Sequence, residues 1–244
     1  MELPDRVAVV TGAAVARRFA DEGARLVLAD EDKEALDQIR QELGHAAESV
    51  DGLSVDLTSA RQIGTLVDRA VARFGQIDIL VNAMGMAEEP PWSEPGPAAW
   101  ERHLRSLTAC VLCCQAVAPA MRTRGRGHIA SNAGRYRSNT GFGGLAYSAA
   151  KGGVLQLTRG VAHELGSAGI TVNAIAPGSV LSERGWKEFD ALPVELRERV
   201  LAETPLGRFA QADEIASIAV FLASEDASYI TGATTVANGG WCAA

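Results

Sequence analysis

Short runs of consecutive apolar residues alternate along this chain with longer stretches in which apolar positions recur at spacings of three and four. These are the patterns that buried strands and amphipathic helices leave in a sequence. The runs are Val7-Ala8-Val9-Val10, Arg25-Leu26-Val27-Leu28-Ala29, Leu53-Ser54-Val55, Ile77-Asp78-Ile79-Leu80-Val81, His128-Ile129-Ala130, Thr171-Val172-Asn173-Ala174-Ile175 and Thr234-Thr235-Val236. Continuous apolarity, without a polar alternate, marks strands covered on both faces. Between them, Val15 and Phe19, then Ile63, Leu66, Val67 and Val71, then Val154, Leu157, Val161 and Leu165 each fall on one helical face fit to cover such a sheet. Gly23 and Gly75 follow helical runs as C-terminal caps. The alternation predicts an α/β fold: a doubly wound parallel sheet of seven strands with helices on both faces.

No repeat or linker interrupts the pattern, and 244 residues suit one domain, 1–244. Two irregular segments stand out. Glu89 to Pro97 is a proline-rich loop between the fourth strand and its helix, and residues 181–204 mix charges with Trp186 and Phe189 beyond the carboxyl end of the sixth strand. Ligands bind at that edge of open α/β sheets, so 181–204 is read as a substrate-loop region.

A content of 47% hydrophobic and 22% charged residues is that of a compact globular chain. A net charge of −7 argues against nucleic acid, which demands a dense basic surface. The nearest basic run, Arg122, Arg124 and Arg126, is read as a solvated loop after a helix. No uninterrupted apolar stretch approaches the ~20 residues that span a bilayer. The N-terminus lacks a basic flank and hydrophobic core, so the expectation is a cytoplasmic protein without a membrane partner. Cys110, Cys113, Cys114 and Cys242 are distributed wrongly for a disulfide framework, and Cys110-x-x-Cys113 lacks a second ligand pair. They are read as small buried hydrophobes, and no metal is expected.

The chemistry concentrates in Tyr147-Ser148-Ala149-Ala150-Lys151, followed by Gly152-Gly153 and an amphipathic run. Residues i and i+4 share a helix face, so a phenol and an ammonium lie side by side. A tyrosine titrates near pH 10, and a neighbouring cation lowers that value toward neutral acid/base work. A bare Tyr-x-x-x-Lys is a common surface pair, but here it joins a series of markers at successive strand ends. These are Val9-Val10-Thr11-Gly12, Asp30, Val55-Asp56-Leu57, Val81-Asn82-Ala83-Met84-Gly85 and Asn173-Ala174-Ile175-Ala176-Pro177-Gly178. Ser148-Ala149-Ala150-Lys151 also has the Ser-x-x-Lys spacing of some serine hydrolases, but no Lys-Thr-Gly or Gly-x-Ser-x-Gly accompanies it.

On these motifs residues 5–241 resemble the short-chain dehydrogenase/reductase family, of the single-domain type that includes oxoacyl-carrier-protein reductases and sugar, polyol and steroid dehydrogenases. The likeness is densest in Pro205-Leu206-Gly207-Arg208, Asp213-Glu214-Ile215-Ala216, Phe221-Leu222-Ala223-Ser224 and Tyr229-Ile230-Thr231-Gly232. It implies a Rossmann fold and a NAD-dependent oxidoreductase that interconverts a secondary alcohol and a ketone. In that likeness Tyr147 is the general acid/base, Lys151 lowers its pKa and binds the nicotinamide ribose, and Ser131 hydrogen-bonds the substrate oxygen. Gly12 and Asn82 belong to the cofactor site. Asp30 takes the adenosine ribose hydroxyls and favours NAD over NADP; Asp56 and Leu57 meet the adenine, and Pro177, Gly178 and Val180 the nicotinamide side. Taken without the likeness, Ser131 is a cap and Asp30 a solvated strand-end charge. The likeness also implies a homotetramer, with the helix from Cys113 to Met121 and the helix carrying Tyr147 between subunits.

The chain departs from the family at four places. Thr11-Gly12-Ala13-Ala14-Val15-Ala16-Arg17-Arg18 has no further glycine until Gly23, where the family has a glycine-rich turn. The strand at His128-Ile129-Ala130 is expected to be short. Ser106 or Leu107 stands where the family has an asparagine, and Asn82-Ala83-Met84-Gly85 replaces Asn-Asn-Ala-Gly. Either the polypeptide carries segments that this sequence lacks, or the dinucleotide site is weakened or absent. In the second case the protein keeps the fold for a non-catalytic, assembly or ligand-sensing role. The intact Tyr147, Lys151, Asp30 and Pro177-Gly178 favour the first.

Overall fold

The computed structural model describes residues 3–44, 48–84, 97–134, 145–181 and 194–241. Along the chain, β1 (Val7–Val10) leads to α1 (Ala13–Asp21), β2 (Arg25–Asp30) to α2 (Lys33–Glu42), and β3 (Val50–Ser54) to α3 (Ala60–Phe74). Next come β4 (Ile79–Asn82), α4 (Pro97–Arg124), β5 (Gly127–Asn132), α5 (Leu145–Leu165) and β6 (Ile170–Pro177). The last part holds β7 (Val180–Leu181), α6 (Val194–Ala202), β8 (Ala210–Gln211), α7 (Ala212–Leu222) and β9 (Thr234–Ala237).

Seven strands make one sheet in the order β3-β2-β1-β4-β5-β6-β9, and every pairing in it is parallel. The strand residues alternate between two cores, as a period of two requires. Ala8, Val10, Leu26, Leu28, Ile79 and Val81 face one, closed by α1, α2 and α7. Val9, Val27, Ala29, Leu80, Ile129 and Val172 face the other, closed by α3, α4 and α5. This is the doubly wound sheet that the apolar runs predict.

Local chemistry sets the helix ends. Asp32 accepts the Glu34 and Ala35 amides and starts α2; Ser59 accepts the Gln62 amide and starts α3. Gly75 closes α3 with φ 77°, and Gly23, φ 84°, follows the end of α1. Cys110, Cys113 and Cys114 are buried as expected, and burial pushes the Cys113 and Cys114 thiols up to about 12. Cys242 lies outside the described residues.

Four expectations need correction. The third strand begins at Val50, not Leu53, because Asp51 lies within it. That carboxylate is buried, and the Arg69 guanidinium donates to both its oxygens at 2.6 and 2.9 Å, which offsets the cost of burying it. On α3, Ala70 is buried, while Val71 turns outward and is 39% exposed. β5 is not short: its six residues pair with six of β6.

The arginines at and just past the end of α4 are not simply solvated. Arg124 and Arg126 approach Oδ1 of the buried Asp78 at 3.6 and 3.5 Å, and Arg6 at 3.7 Å. The other Asp78 oxygen accepts the Val7 amide and Gln76 Nε2, so this carboxylate pins the amino ends of β1 and β4. The stretch Trp100–Arg124 of α4 is also long and apolar enough to cross a membrane, with mean hydropathy 1.4. Here Ala109, Cys113, Cys114, Val117 and Met121 cover the sheet.

Candidate functional site

At the carboxyl edge of the sheet, the order reverses between β1 and β4, and parallel α/β sheets open a ligand crevice at such a point. Thr11 ties the two strand ends together, donating from Oγ1 to the Val81 carbonyl and accepting the Ala83 amide at 2.9 Å. Gly12 follows, and a β-carbon there would stand 2.7 Å from that of Ala83, so the turn into α1 is pressed against the end of β4. The helix begins at once, at Ala13, and no side chain caps its N-terminus, in contrast to α2 and α3.

In the next layer the strand register sets Asn82 beside Ser131. Asn82 Nδ2 donates to Ser131 Oγ at 3.1 Å and lies 3.8 Å from Cys114 Sγ, with all three residues buried. Since Ser131 Oγ accepts from Asn82, its own O–H is left to donate.

Helix α5 carries Tyr147 and Lys151 one turn apart, as the sequence spacing requires. Lys151 is 1% exposed, its Nζ 5.9 Å from the centre of the Tyr147 ring. The ammonium donates to the Met84 carbonyl at 2.8 Å and to the Asn132 carbonyl at 2.9 Å, so the ends of β4 and β5 hold it. Burial pulls its pKa down from 10.5 to about 8, which keeps it mostly charged at neutral pH. An ammonium has three N–H donors; those two carbonyls leave one for a ligand.

Two residues that sequence reasoning passed over complete this centre. Gly134 has φ 53°, and a β-carbon on it would lie 2.1 Å from the Tyr147 hydroxyl oxygen and 3.3 Å from Lys151 Cγ. The glycine stands three residues after Ser131 in the sequence, but its closeness to the phenol depends on how α5 docks. His103, on α4, is buried and stands edge-on to the Tyr147 ring; its position in an unremarkable stretch gave no signal. Ser106 turns its hydroxyl back onto the His103 carbonyl, and Leu107 packs on Gly153, so neither is a partner of the Lys151 ammonium.

At the ends of β2 and β3, Asp30 Oδ1 accepts the Asp32 amide, and among the described residues no bond is made to its second oxygen. Asp56 uses Oδ1 on the Thr58 amide and hydroxyl, and the Thr58 hydroxyl holds its carboxyl below the usual carboxylate range. Arg105 of α4 reaches over this edge to Glu31 at 3.2 Å and Asp56 at 3.4 Å. Leu57 is fully buried in the core, so its side chain does not face the crevice and only its main chain remains for a ligand. At the far side Pro177 ends β6, the Gly178 amide donates to the Ala237 carbonyl, and Val180 pairs with Ala210. Gly85, Trp186 and Phe189 lie outside the described residues.

The donor set fits a dinucleotide. The uncapped α1 amides suit a pyrophosphate, a strand-end carboxylate suits ribose hydroxyls, and the remaining Lys151 donor suits a second ribose.

Comparisons with known proteins agree with this geometry. Residues 10–242 match the family model described as enoyl-(acyl carrier protein) reductase. The chain is similar to D-threitol dehydrogenase of Mycolicibacterium smegmatis, 36% identical over 246 residues, which cover 98% of this chain and 94% of that one. Among solved structures, levodione reductase aligns with TM-score 0.92 and 30% identity over 100% of both chains. A gluconate 5-dehydrogenase from Burkholderia cenocepacia, in complex with NADP and tartrate, aligns with TM-score 0.91 and 29% identity over 100% of this chain and 97% of that one.

Proposed function

The chain belongs to the short-chain dehydrogenase/reductase family of oxidoreductases, and from that premise we propose that it interconverts a secondary alcohol and a ketone with NAD(H). The observation that carries this reading is Lys151, buried, fixed by two strand-end carbonyls and one helical turn from Tyr147. When bound, NAD(H) would give a hydride to the carbonyl carbon in reduction and take one from the carbinol carbon in oxidation.

The protein's part is the proton. Tyr147 gives its phenolic proton to the carbonyl oxygen in reduction and takes it back in oxidation. The Lys151 ammonium favours the phenolate by charge, and its remaining donor holds a ribose hydroxyl. Ser131, accepting from Asn82, directs its own O–H to the substrate oxygen. In this reading the chain is a single domain, 1–244, and the segment 181–204, of which residues 182–193 lie outside the described ones, selects the substrate.

Asp30 supports NAD over NADP, because a 2′-phosphate there meets the carboxylates of Asp30, Glu31 and Asp32, and Arg105, a cation that reaches this edge, is engaged by Glu31 and Asp56. The NADP of the gluconate 5-dehydrogenase structure is a property of that protein. The outer faces of α4 and α5 are the surfaces through which a homotetramer assembles. The face of α4 that carries Cys113, Val117 and Met121 is already used inside the chain.

A non-catalytic role for the fold is less well supported, since relatives matching 98% of the chain are named as dehydrogenases. The test is fluorescence titration with NADH and NADPH, together with turnover on a polyol, a cyclic ketone and a sugar acid. NADH binding and NAD-linked turnover of one of these classes support the proposal. Absence of dinucleotide binding at millimolar concentration overturns it.

A further inference from the structure

We propose that His103 is a positioning residue for Tyr147: its imidazole fixes the phenol ring in the orientation that sets the hydroxyl beside Gly134 and above Lys151. The two rings lie with centroids 6.1 Å apart and planes at 86°, the edge-to-face arrangement in which the positive rim of one ring meets the negative face of the other. His103 is 2% exposed, far more enclosed than an imidazole in the second turn of a surface helix requires. It lies on α4, across from α5, so the contact joins the two helices at the Tyr147 ring.

Tyr147 sits in the first turn of α5, where a helix is least constrained, and is only partly buried. Gly134 bounds the hydroxyl on one side and Lys151 lies beneath the ring. Edge-on support from His103 bounds the ring from the direction of α4. The neighbouring residues of α4 do not serve, since Ser106 bonds back to the His103 carbonyl and Leu107 packs on Gly153. Because a displacement of ~1 Å at a reacting group costs about 100-fold in rate, even a modest loosening of this ring is measurable.

The inference rests on the proposed dehydrogenase reading, so its test has an arm independent of turnover. The chain has only three tyrosines, and the Cζ resonance of Tyr147 in protein labelled with carbon-13 tyrosine is assigned by Tyr147→Phe. His103→Ala is expected to move and broaden that resonance and to lower kcat about 10-fold while KM for NAD changes less than about twofold. His103→Phe keeps a ring in place without the nitrogens, and is expected to restore both readings. A Tyr147 resonance and kcat that ignore His103→Ala overturn the proposal. So does a Phe variant as impaired as the Ala variant, which makes the imidazole nitrogens, not the ring, responsible. If the unaltered protein shows no turnover, the dehydrogenase reading fails, and the resonance alone decides whether His103 positions Tyr147.

Discussion

Gly134 and Tyr147 share one space: a β-carbon on the glycine would stand 2.1 Å from the tyrosine hydroxyl oxygen. The backbone at Gly134 is also left-handed, with φ 53°, which side chains other than hydrogen resist. Gly134→Ala is therefore expected to lower kcat by about 100-fold through displacement of the phenol. The backbone strain adds about 1–2 kcal/mol of destabilisation. Turnover and urea unfolding of the variant check both; unchanged turnover removes Gly134 from the centre.

Asp30 is expected to govern cofactor choice. Its carboxylate ends β2 with one oxygen taken by the Asp32 amide. Asp30→Ser should reduce the preference for NAD over NADP, measured as the ratio of kcat/KM values, by about 100-fold, because a like-charge repulsion of several kcal/mol is removed. An unaltered ratio places the choice elsewhere.

The succession of strands and helices along the chain, the two-sided cover and the pairing of Tyr147 with Lys151 were legible in the sequence because they depend on local period and spacing. Val50–Ser54 was misplaced because a buried, arginine-paired Asp51 looks polar until Arg69, far along the chain, is seen against it. Arg124 and Arg126 read as solvated for the same reason: Asp78, their common partner, lies far back in the chain, just before β4. Leu57 was legible as a strand-end marker, but which way its side chain turns depends on the packing of α3. Gly134 and His103 were silent because their part at Tyr147 exists only once α4, α5 and β5 have docked.

The Asp51–Arg69 pair is expected to contribute to stability. Arg69→Ala leaves a buried carboxylate without its two guanidinium bonds and should cost about 2–3 kcal/mol in denaturant unfolding. Arg69 holds the folded Asp51 pKa below 3.8, so the pair's contribution is complete at neutral pH and declines as acid carries the protein below that value toward the folded pKa. The gap between wild type and Arg69→Ala should narrow over that range; a gap that persists into strong acid contradicts the assignment.

Lys151 gives the opposite window. Its folded pKa, about 8, lies below the unfolded 10.5, so the unfolded chain binds the proton more tightly between those values. Stability relative to Lys151→Met should rise with pH across that interval, by up to about 1.4 kcal/mol per pH unit, and be flat below it. Urea unfolding of both proteins at stepped pH measures the difference. Parallel curves through the interval mean that Lys151 is not held as a buried ammonium.

The most direct test of the account is the comparison of wild type with Tyr147→Phe, in NAD-linked oxidation of a secondary alcohol that the wild type turns over, with NADH binding followed by fluorescence. The variant should lose at least about 1,000-fold in kcat, the scale of a positioned acid/base group, while NADH affinity stays within about threefold. Turnover retained in Tyr147→Phe, at unchanged NADH affinity, contradicts the assignment of the proton to this phenol.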